Sequence, residues 1–213
     1  MVNITSESTH EPVVVETTHQ PTHEHGGESI DLRKLGMWIF LSSEVIFFGS
    51  LIITFLVYKG RVGNLHPGHD ALNISVTSVI TFILLSSSLT MVLALAAIQN
   101  DRIRQGKLWL LATALLGMIF VGTQIFEYTE LVHEGLTIAG NLYGSAFFTL
   151  TGFHGTHVFI GVIMLLILVG MTQAGKFGAK NSLPVEMVGL YWHFVDLVWL
   201  VIFTLVYLIP PAS

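Results

Sequence analysis

The sequence contains no cysteine among its 213 residues. Disulfide bonds, thiolate-bound metals and cysteine-ligated iron–sulfur clusters are therefore excluded within this chain. Charge is scarce as well, because Asp, Glu, Lys and Arg together make up 11% of the residues, whereas a soluble domain carries about 25%. The few basic residues form no patch that would favour binding to nucleic acid. The shortage of charge indicates an integral membrane protein.

Hydrophobic residues, in contrast, make up 52% of the chain and give it a mean hydropathy of +0.71. A helix needs about 20 apolar residues to cross a bilayer, and five stretches reach that length. They run approximately over residues 35–58, 72–98, 108–130, 142–171 and 184–209. We therefore predict an all-α, polytopic membrane protein in which residues 32–213 form a five-helix transmembrane bundle.

The polar residues before the first span form a separate region, residues 1–31. This region holds six of the fourteen acidic residues of the chain and four histidines, His10, His19, His23 and His25. It lacks a basic segment followed by an apolar run, so the sequence favours a disordered N-terminal tail over a cleaved signal peptide. The histidines resemble a weak metal-binding tract, but a solvated linker is the simpler interpretation.

Basic residues are distributed unevenly between the two sides of the predicted bundle. Seven of the nine fall on the side of the N-terminus, and the other two, Lys59 and Arg61, fall in the loop after the first span. Because basic residues concentrate in cytoplasmic loops, we expect the N-terminus in the cytoplasm and the C-terminus on the outer side.

Near the middle of the fifth span, a histidine and an aspartate, His193 and Asp196, lie one helical turn apart. An ionisable side chain at such depth costs at least about 2.5–3.5 kcal/mol, so the two need a partner or a function. Trp192 and Trp199 lie on one side of the same helix, deeper than the interface where membrane tryptophans usually lie. This depth indicates packing against another helix or another subunit.

Acidic residues also lie inside other spans. Glu44 lies near the middle of the first span, either as a protonated acid bonded to a neighbouring helix or as a proton-handling group. We favour the first interpretation because no chain of proton carriers is visible in that span. Glu127 lies near the outer end of the third span. Glu130 and His133 form a single Glu-x-x-His motif, whereas a di-iron bundle needs two.

The fourth span places His154 and His157 on one face, beside Gly152 and Gly155. Glycines permit close contact between membrane helices, and histidines form hydrogen bonds across such contacts. A metal site shared with the histidine and aspartate of the fifth span is the alternative, but its ligand set is incomplete. In the second span, small residues recur every four positions, which predicts a packing face without chemistry.

Several short motifs in the spans resemble signatures of cytochrome c oxidase subunit III. The resemblance runs from about residue 35 to 209, and the motifs occur in the same order and at the same spacing. They are Leu35–Trp38, Ser43–Phe48, Phe126–Tyr128, Tyr143–Phe148, Thr151–Val158 and Tyr191–Asp196.

The resemblance implies an accessory subunit of an aa3-type cytochrome c oxidase in the aerobic respiratory chain of a bacterial plasma membrane. In that family the haems and copper belong to subunits I and II, so we expect no catalytic residue and no metal in this chain. The family's third subunit packs against subunit I, binds phospholipid and supports proton pumping. Five spans match the short bacterial form, which lacks the two helices that make one wall of the lipid cleft. The positions that match the family's buried polar residues are Glu44, Glu127, His154, His157, His193 and Asp196.

Three alternatives remain. The chain could be the third subunit of a haem–copper quinol oxidase, because the electron donor is decided by another subunit. It could be a free-standing membrane metalloenzyme that uses the histidines. It could also be a proton-coupled carrier built around Glu44 and Asp196, although the sequence shows no internal repeat of the kind found in many transporters.

Overall fold

The computed structural model describes residues 32–62, 74–133, 135–139, 142–176 and 181–209. No strand occurs within these ranges. The prediction of an all-α bundle with five helices long and apolar enough to cross a membrane is confirmed. The predicted tail, residues 1–31, lies outside the described residues. The helices are α1 (Leu32–Val62), α2 (Ile74–Gln99), α3 (Ile103–His133), α4 (Leu142–Gln173) and α5 (Leu183–Phe203), which continues as a π-helical turn (Thr204–Leu208).

Three helices end in the same hydrogen-bonded cap. After α2, α3 and α4, one residue adopts a positive φ, at Asp101, Gly135 and Gly175 respectively. The N–H of that residue donates to the carbonyl oxygen three residues earlier, and the N–H of the following residue donates to the carbonyl oxygen five residues earlier. This pair of hydrogen bonds is the Schellman motif. At the other end of the last helix, Pro184 lies in the first turn of α5, where its missing N–H costs nothing.

The helices extend beyond several of the predicted spans because polar residues continue the helical backbone where the apolar run stops. Lys59 shows the consequence most clearly. We predicted it in a loop, and this was wrong, since Lys59 lies within α1 and is only 6% exposed.

α5 lies at the centre of the bundle. It packs against α2, α4 and α1, while α3 packs against α2 and α4. Half of its membrane-length segment is buried, compared with 17% for α1. α5 is therefore the most buried helix, and α1 is the peripheral helix.

The indole of Trp192 fills a gap made by two glycines. Gly117 on α3 and Gly161 on α4 face opposite parts of its ring. A Cβ at Gly117 would lie 2.5 Å from Trp192 Cη2, and a Cβ at Gly161 would lie 2.8 Å from Cζ3. Since both distances are shorter than van der Waals contact, only glycine allows α3 and α4 to close on this ring.

Lysines attach the peripheral helix α1 to both ends of α5. Near the start of α1, Lys34 Nζ lies 2.7 Å from Glu186 Oε1 in the first turn of α5. Near its end, Lys59 Nζ donates to the carbonyl oxygens of Leu205 and Ile209 at 2.8 and 2.6 Å. Carbonyls at a helix C-terminus lack partners of their own and carry negative partial charge, so a buried ammonium stabilises them.

A pair of glycine substitutions in α4 tests the packing of Trp192. We expect Gly161→Ala to lower the free energy of unfolding by about 1–3 kcal/mol, because the added methyl displaces the indole. Gly170→Ala is the matched control, since a Cβ there would meet nothing within 4 Å; it should be neutral or stabilising by up to about 1 kcal/mol. Denaturant titration of the purified protein measures both, and equal effects would contradict this packing.

A pair of lysine substitutions in α1 tests its attachment to α5. Lys59→Met should destabilise the protein by about 1.5–3 kcal/mol, because a charged donor and its carbonyl partners are lost. Lys34→Met breaks a partly exposed ion pair and should cost less than about 1 kcal/mol. Hydrogen exchange of residues 200–209 should accelerate only in Lys59→Met. Unchanged exchange there would show that Lys59 does not hold this end.

Candidate functional site

Both tryptophans of α5 donate hydrogen bonds to hydroxyl groups of α2. The indole N–H of Trp192 donates to Ser87 Oγ at 2.9 Å, and that of Trp199 donates to Thr81 Oγ1 at 3.0 Å. Both hydroxyls donate in turn to carbonyl oxygens of their own helix. Each buried indole thus has a partner for its polar group, as an indole away from water needs.

His193 and Asp196 meet at one hydroxyl of α2, that of Ser88. Ser88 Oγ lies 2.8 Å from His193 Nδ1 and forms a short hydrogen bond with Asp196 Oδ2. Asp196 is 2% exposed, and its other oxygen, Oδ1, has no hydrogen-bond partner among the described residues. His193 and Asp196 therefore share a hydrogen-bond partner on a neighbouring helix.

Glu44 of α1 faces His157 of α4. Glu44 Oε2 lies 3.2 Å from His157 Nε2, an ion-pair distance at which the two groups are not well aligned for a hydrogen bond. His157 Nδ1 lies 2.7 Å from the carbonyl oxygen of Phe153. Because a carbonyl only accepts, Nδ1 carries a proton. The pair is then attractive only if one further proton lies on Nε2 or on the carboxyl group.

This proton requirement leaves two states for the pair. Glu44 is a carboxylic acid beside a neutral imidazole, or a carboxylate beside an imidazolium.

The backbone of His157 also contacts α5. The Tyr191 hydroxyl donates a hydrogen bond to the carbonyl oxygen of His157 at 3.0 Å. The site thus links α1, α4 and α5.

His154, one turn before His157, contacts different helices. It is fully buried, and its Nε2 lies 3.2 Å from the carbonyl oxygen of Val195 on α5. Its ring packs edge-on to Phe120 and against Trp199, with centroid separations of 5.7 and 4.9 Å. The two histidines of α4 therefore serve separate contacts.

Gln124 and Tyr128 join α3 to α4. Gln124 Nε2 donates to the carbonyl oxygen of Thr151 at 2.8 Å, and the Tyr128 hydroxyl donates to Thr151 Oγ1 at 2.7 Å. Gly155 leaves room for the amide, since a Cβ there would lie 2.5 Å from Gln124 Oε1. Gly152 has no such constraint, because its Cβ would meet only the Tyr128 hydroxyl, at 3.8 Å.

Glu127 lies where α3 approaches α2 and the π-helical turn. Its Oε1 accepts from the Tyr207 hydroxyl at 3.0 Å and from Thr77 Oγ1 at 3.4 Å. Glu130 and His133, the single Glu-x-x-His motif, are exposed at the end of α3. In the part of the chain that the structure describes, no group of three His, Asp or Glu side chains is arranged to hold a metal ion.

The sequence did not reveal the hydroxyls that bind the α5 side chains. The small residues that recur every four positions in α2, which we predicted to form a packing face, include Ser86 and Thr90, and Thr90 does contact Thr113 of α3. The hydroxyls that bind α5 side chains are instead those of Thr81, Ser87 and Ser88. Three consecutive serines at the depth of two ionisable residues are the signal that would have suggested this contact.

The chain matches known proteins along nearly its whole length. The family model of cytochrome c oxidase subunit III matches residues 2–210. A cytochrome c oxidase subunit 3 from Thermostichus vulcanus is 35% identical over 187 residues, which cover 87% of this chain and 92% of that protein. A second one, from Bacillus sp. (strain PS3), is 38% identical over 82% of this chain and 84% of that protein.

A quinol oxidase subunit 3 from Bacillus subtilis (strain 168) is similar to the same degree. It is 37% identical over 186 residues, covering 87% of this chain and 91% of that protein. The resemblance that we drew from the motifs is thereby confirmed. With five apolar helices and this similarity, the chain is a multi-pass membrane protein that belongs to the cytochrome c oxidase subunit III family of haem–copper oxidases.

Proposed function

We propose that this chain is the accessory third subunit of an aa3-type cytochrome c oxidase in the aerobic respiratory chain. It packs against subunit I and supports electron transfer to dioxygen and proton pumping by subunits I and II, which hold the haems and copper. Bound phospholipid contributes to this support. The chain itself carries out no redox step.

One structural observation supports this accessory role. The histidines and acids inside the bundle that the sequence singled out are engaged by groups of neighbouring helices of the same chain. His154 bonds a carbonyl of α5, His157 pairs with Glu44 of α1, and His193 shares Ser88 with Asp196. Side chains used in this way hold helices together, which is the work expected of a subunit that assists chemistry in its neighbours.

A quinol oxidase is the second candidate. It is favoured by the relative from Bacillus subtilis that bears this name, whose identity of 37% lies between the 35% and 38% of the two cytochrome c oxidase relatives. The electron donor then differs, while the role of this chain in packing is the same.

The proposal includes an orientation in the bacterial plasma membrane. The N-terminus lies in the cytoplasm and the C-terminus on the outer side. The distribution of basic residues supports this orientation, because seven of nine would then flank the cytoplasmic side. A tail of residues 1–31 and a membrane domain of residues 32–213 complete the proposed organisation.

Purification of the tagged chain from bacterial membranes tests the proposed function. We expect it to bring down subunits whose reduced-minus-oxidised spectrum shows haem a, together with phospholipid. The complex should consume dioxygen with reduced cytochrome c as donor, whereas oxidation of a quinol instead would select the second candidate. A chain recovered without haem-bearing subunits would contradict both candidates.

Substitutions of Asp196 test whether its role is hydrogen bonding. Asp196→Asn keeps an oxygen for the Ser88 hydroxyl and should reduce the yield of assembled complex only slightly. Asp196→Leu leaves the Ser88 hydroxyl without that partner and should cost about 1–3 kcal/mol more. Haem content per milligram of membrane protein, with the unfolding free energy of each variant, measures the difference. Equal defects would rule out hydrogen bonding as its role.

A further inference from the structure

The hydroxyl of Ser88 stands between two ionisable side chains of α5. It lies 2.8 Å from His193 Nδ1 and forms a short hydrogen bond with Asp196 Oδ2. A serine hydroxyl has one proton to donate and two lone pairs that accept. A proton can pass between the two side chains through this hydroxyl when the protons are ordered in one direction through all three groups.

Two proton orders satisfy this condition. In one, Nδ1 of His193 donates to Ser88, and Ser88 donates to the Asp196 carboxylate. In the other, the Asp196 carboxylic acid donates to Ser88, and Ser88 donates to an unprotonated Nδ1. One order changes into the other when the Nδ1–H and Oγ–H bonds break while new Oγ–H and Oδ2–H bonds form. Ser88 therefore ends with as many protons as it had, and one proton passes from His193 to Asp196.

A small cavity, lined mainly by apolar side chains, lies between α2 and α5. Its volume is about 80 Å³, and Glu186 and His193 are its two ionisable lining residues. Glu186 lines the cavity near the start of α5. Its carboxylate pairs with Lys34, near the start of α1, and both of these side chains are partly exposed. His193 lines the cavity further along α5, and the residues between it and Glu186 are Met91, Val92, Leu95, Gly189 and Leu190. Asp196 lies one turn beyond His193 and is 2% exposed.

We propose that His193, Ser88 and Asp196 form a proton relay that protonates Asp196 from the side of α5 where Glu186 lies. A hydrated proton that reaches His193 from that side transfers its proton to Nε2, the Nδ1 proton passes to Ser88, and the Ser88 proton passes to Oδ2 of Asp196. His193 is again neutral, and Asp196 has become a carboxylic acid. Burial favours this product, because an isolated carboxylate is costly to keep away from water.

The relay gives this chain an activity beyond packing, the reversible uptake of one proton at a buried acid. It does not depend on the electron donor or on the identity of the partner subunits. Among the described residues, Asp196 Oδ1 has no hydrogen-bond partner to which a proton could pass on. The proton is therefore held on Asp196 and leaves again through Ser88 and His193.

Adjacent serines provide a matched pair of variants. Ser87 and Ser88 are both on α2 and both bind a side chain of α5, but Ser87 binds the indole of Trp192, which does not titrate. Ser88→Ala removes the hydroxyl from the relay, whereas Ser87→Ala removes only a structural hydrogen bond. Ser88→Thr keeps the hydroxyl and serves as the rescue.

Infrared spectroscopy of the full-length chain in lipid vesicles tests the relay. Asp196→Asn identifies the carboxylic-acid carbonyl stretch that belongs to Asp196. After transfer to D₂O, the rate at which this band shifts reports how fast the acid proton exchanges. We expect Ser88→Ala to slow that exchange by about tenfold or more, as removal of a positioned proton-transfer group does.

The other variants separate the relay from a structural effect. Exchange should remain fast in Ser87→Ala and Ser88→Thr, and His193→Gln should slow it without altering Ser88. The proposal is overturned if Asp196→Asn removes no band, if Ser88→Ala exchanges as fast as the unaltered chain, or if Ser87→Ala slows exchange equally.

Discussion

Hydrogen bonds from the indoles of α5 to the hydroxyls of α2 fix the position of α5 along α2, which is called the register below. In an apolar environment, hydrophobic burial distinguishes poorly between one helix arrangement and another, so close packing and polar contacts must select it. Trp192 and Trp199 reach Ser87 and Thr81 at 2.9 and 3.0 Å. A slip of α5 by one residue would leave both indole N–H groups buried without a partner, which costs roughly 1–3 kcal/mol for each group.

The remaining contacts follow from this register. Once Trp192 is fixed against α2, its ring occupies the space above Gly117 and Gly161, and this brings α3 and α4 close. The same register places His193 and Asp196 beside the next serine. α1 depends least on this register, because little of its surface is buried. It is attached at three levels, through Lys34 and Lys59 at its ends and through Glu44 near its middle.

The sequence predicts the helices well because each contains a long apolar run, and three of them are followed by a residue with positive φ, such as Gly135 or Gly175. It also predicts deep burial for the two tryptophans of α5, since both lie far from the ends of the span. The predicted position of Lys59 in a loop was wrong, because an analysis of hydropathy ends a span at the first charged residue. A lysine can nevertheless lie within the helix when its long side chain carries the ammonium group to carbonyls at the end of another helix. The partner of Asp196 could not be predicted, because neighbouring serines on α2 are equivalent until the register of two helices is known.

The register is the central claim, and a double-mutant cycle between α2 and α5 measures it most directly. Thr81→Val and Trp199→Phe each remove one side of a single hydrogen bond, and comparison of the double variant with both single variants cancels their separate effects on packing. If the two groups are bonded, the unfolding free energies should show a coupling of about 0.6–1.7 kcal/mol. Strictly additive effects would mean that Trp199 and Thr81 do not meet, and the arrangement of α5 described above would be incorrect.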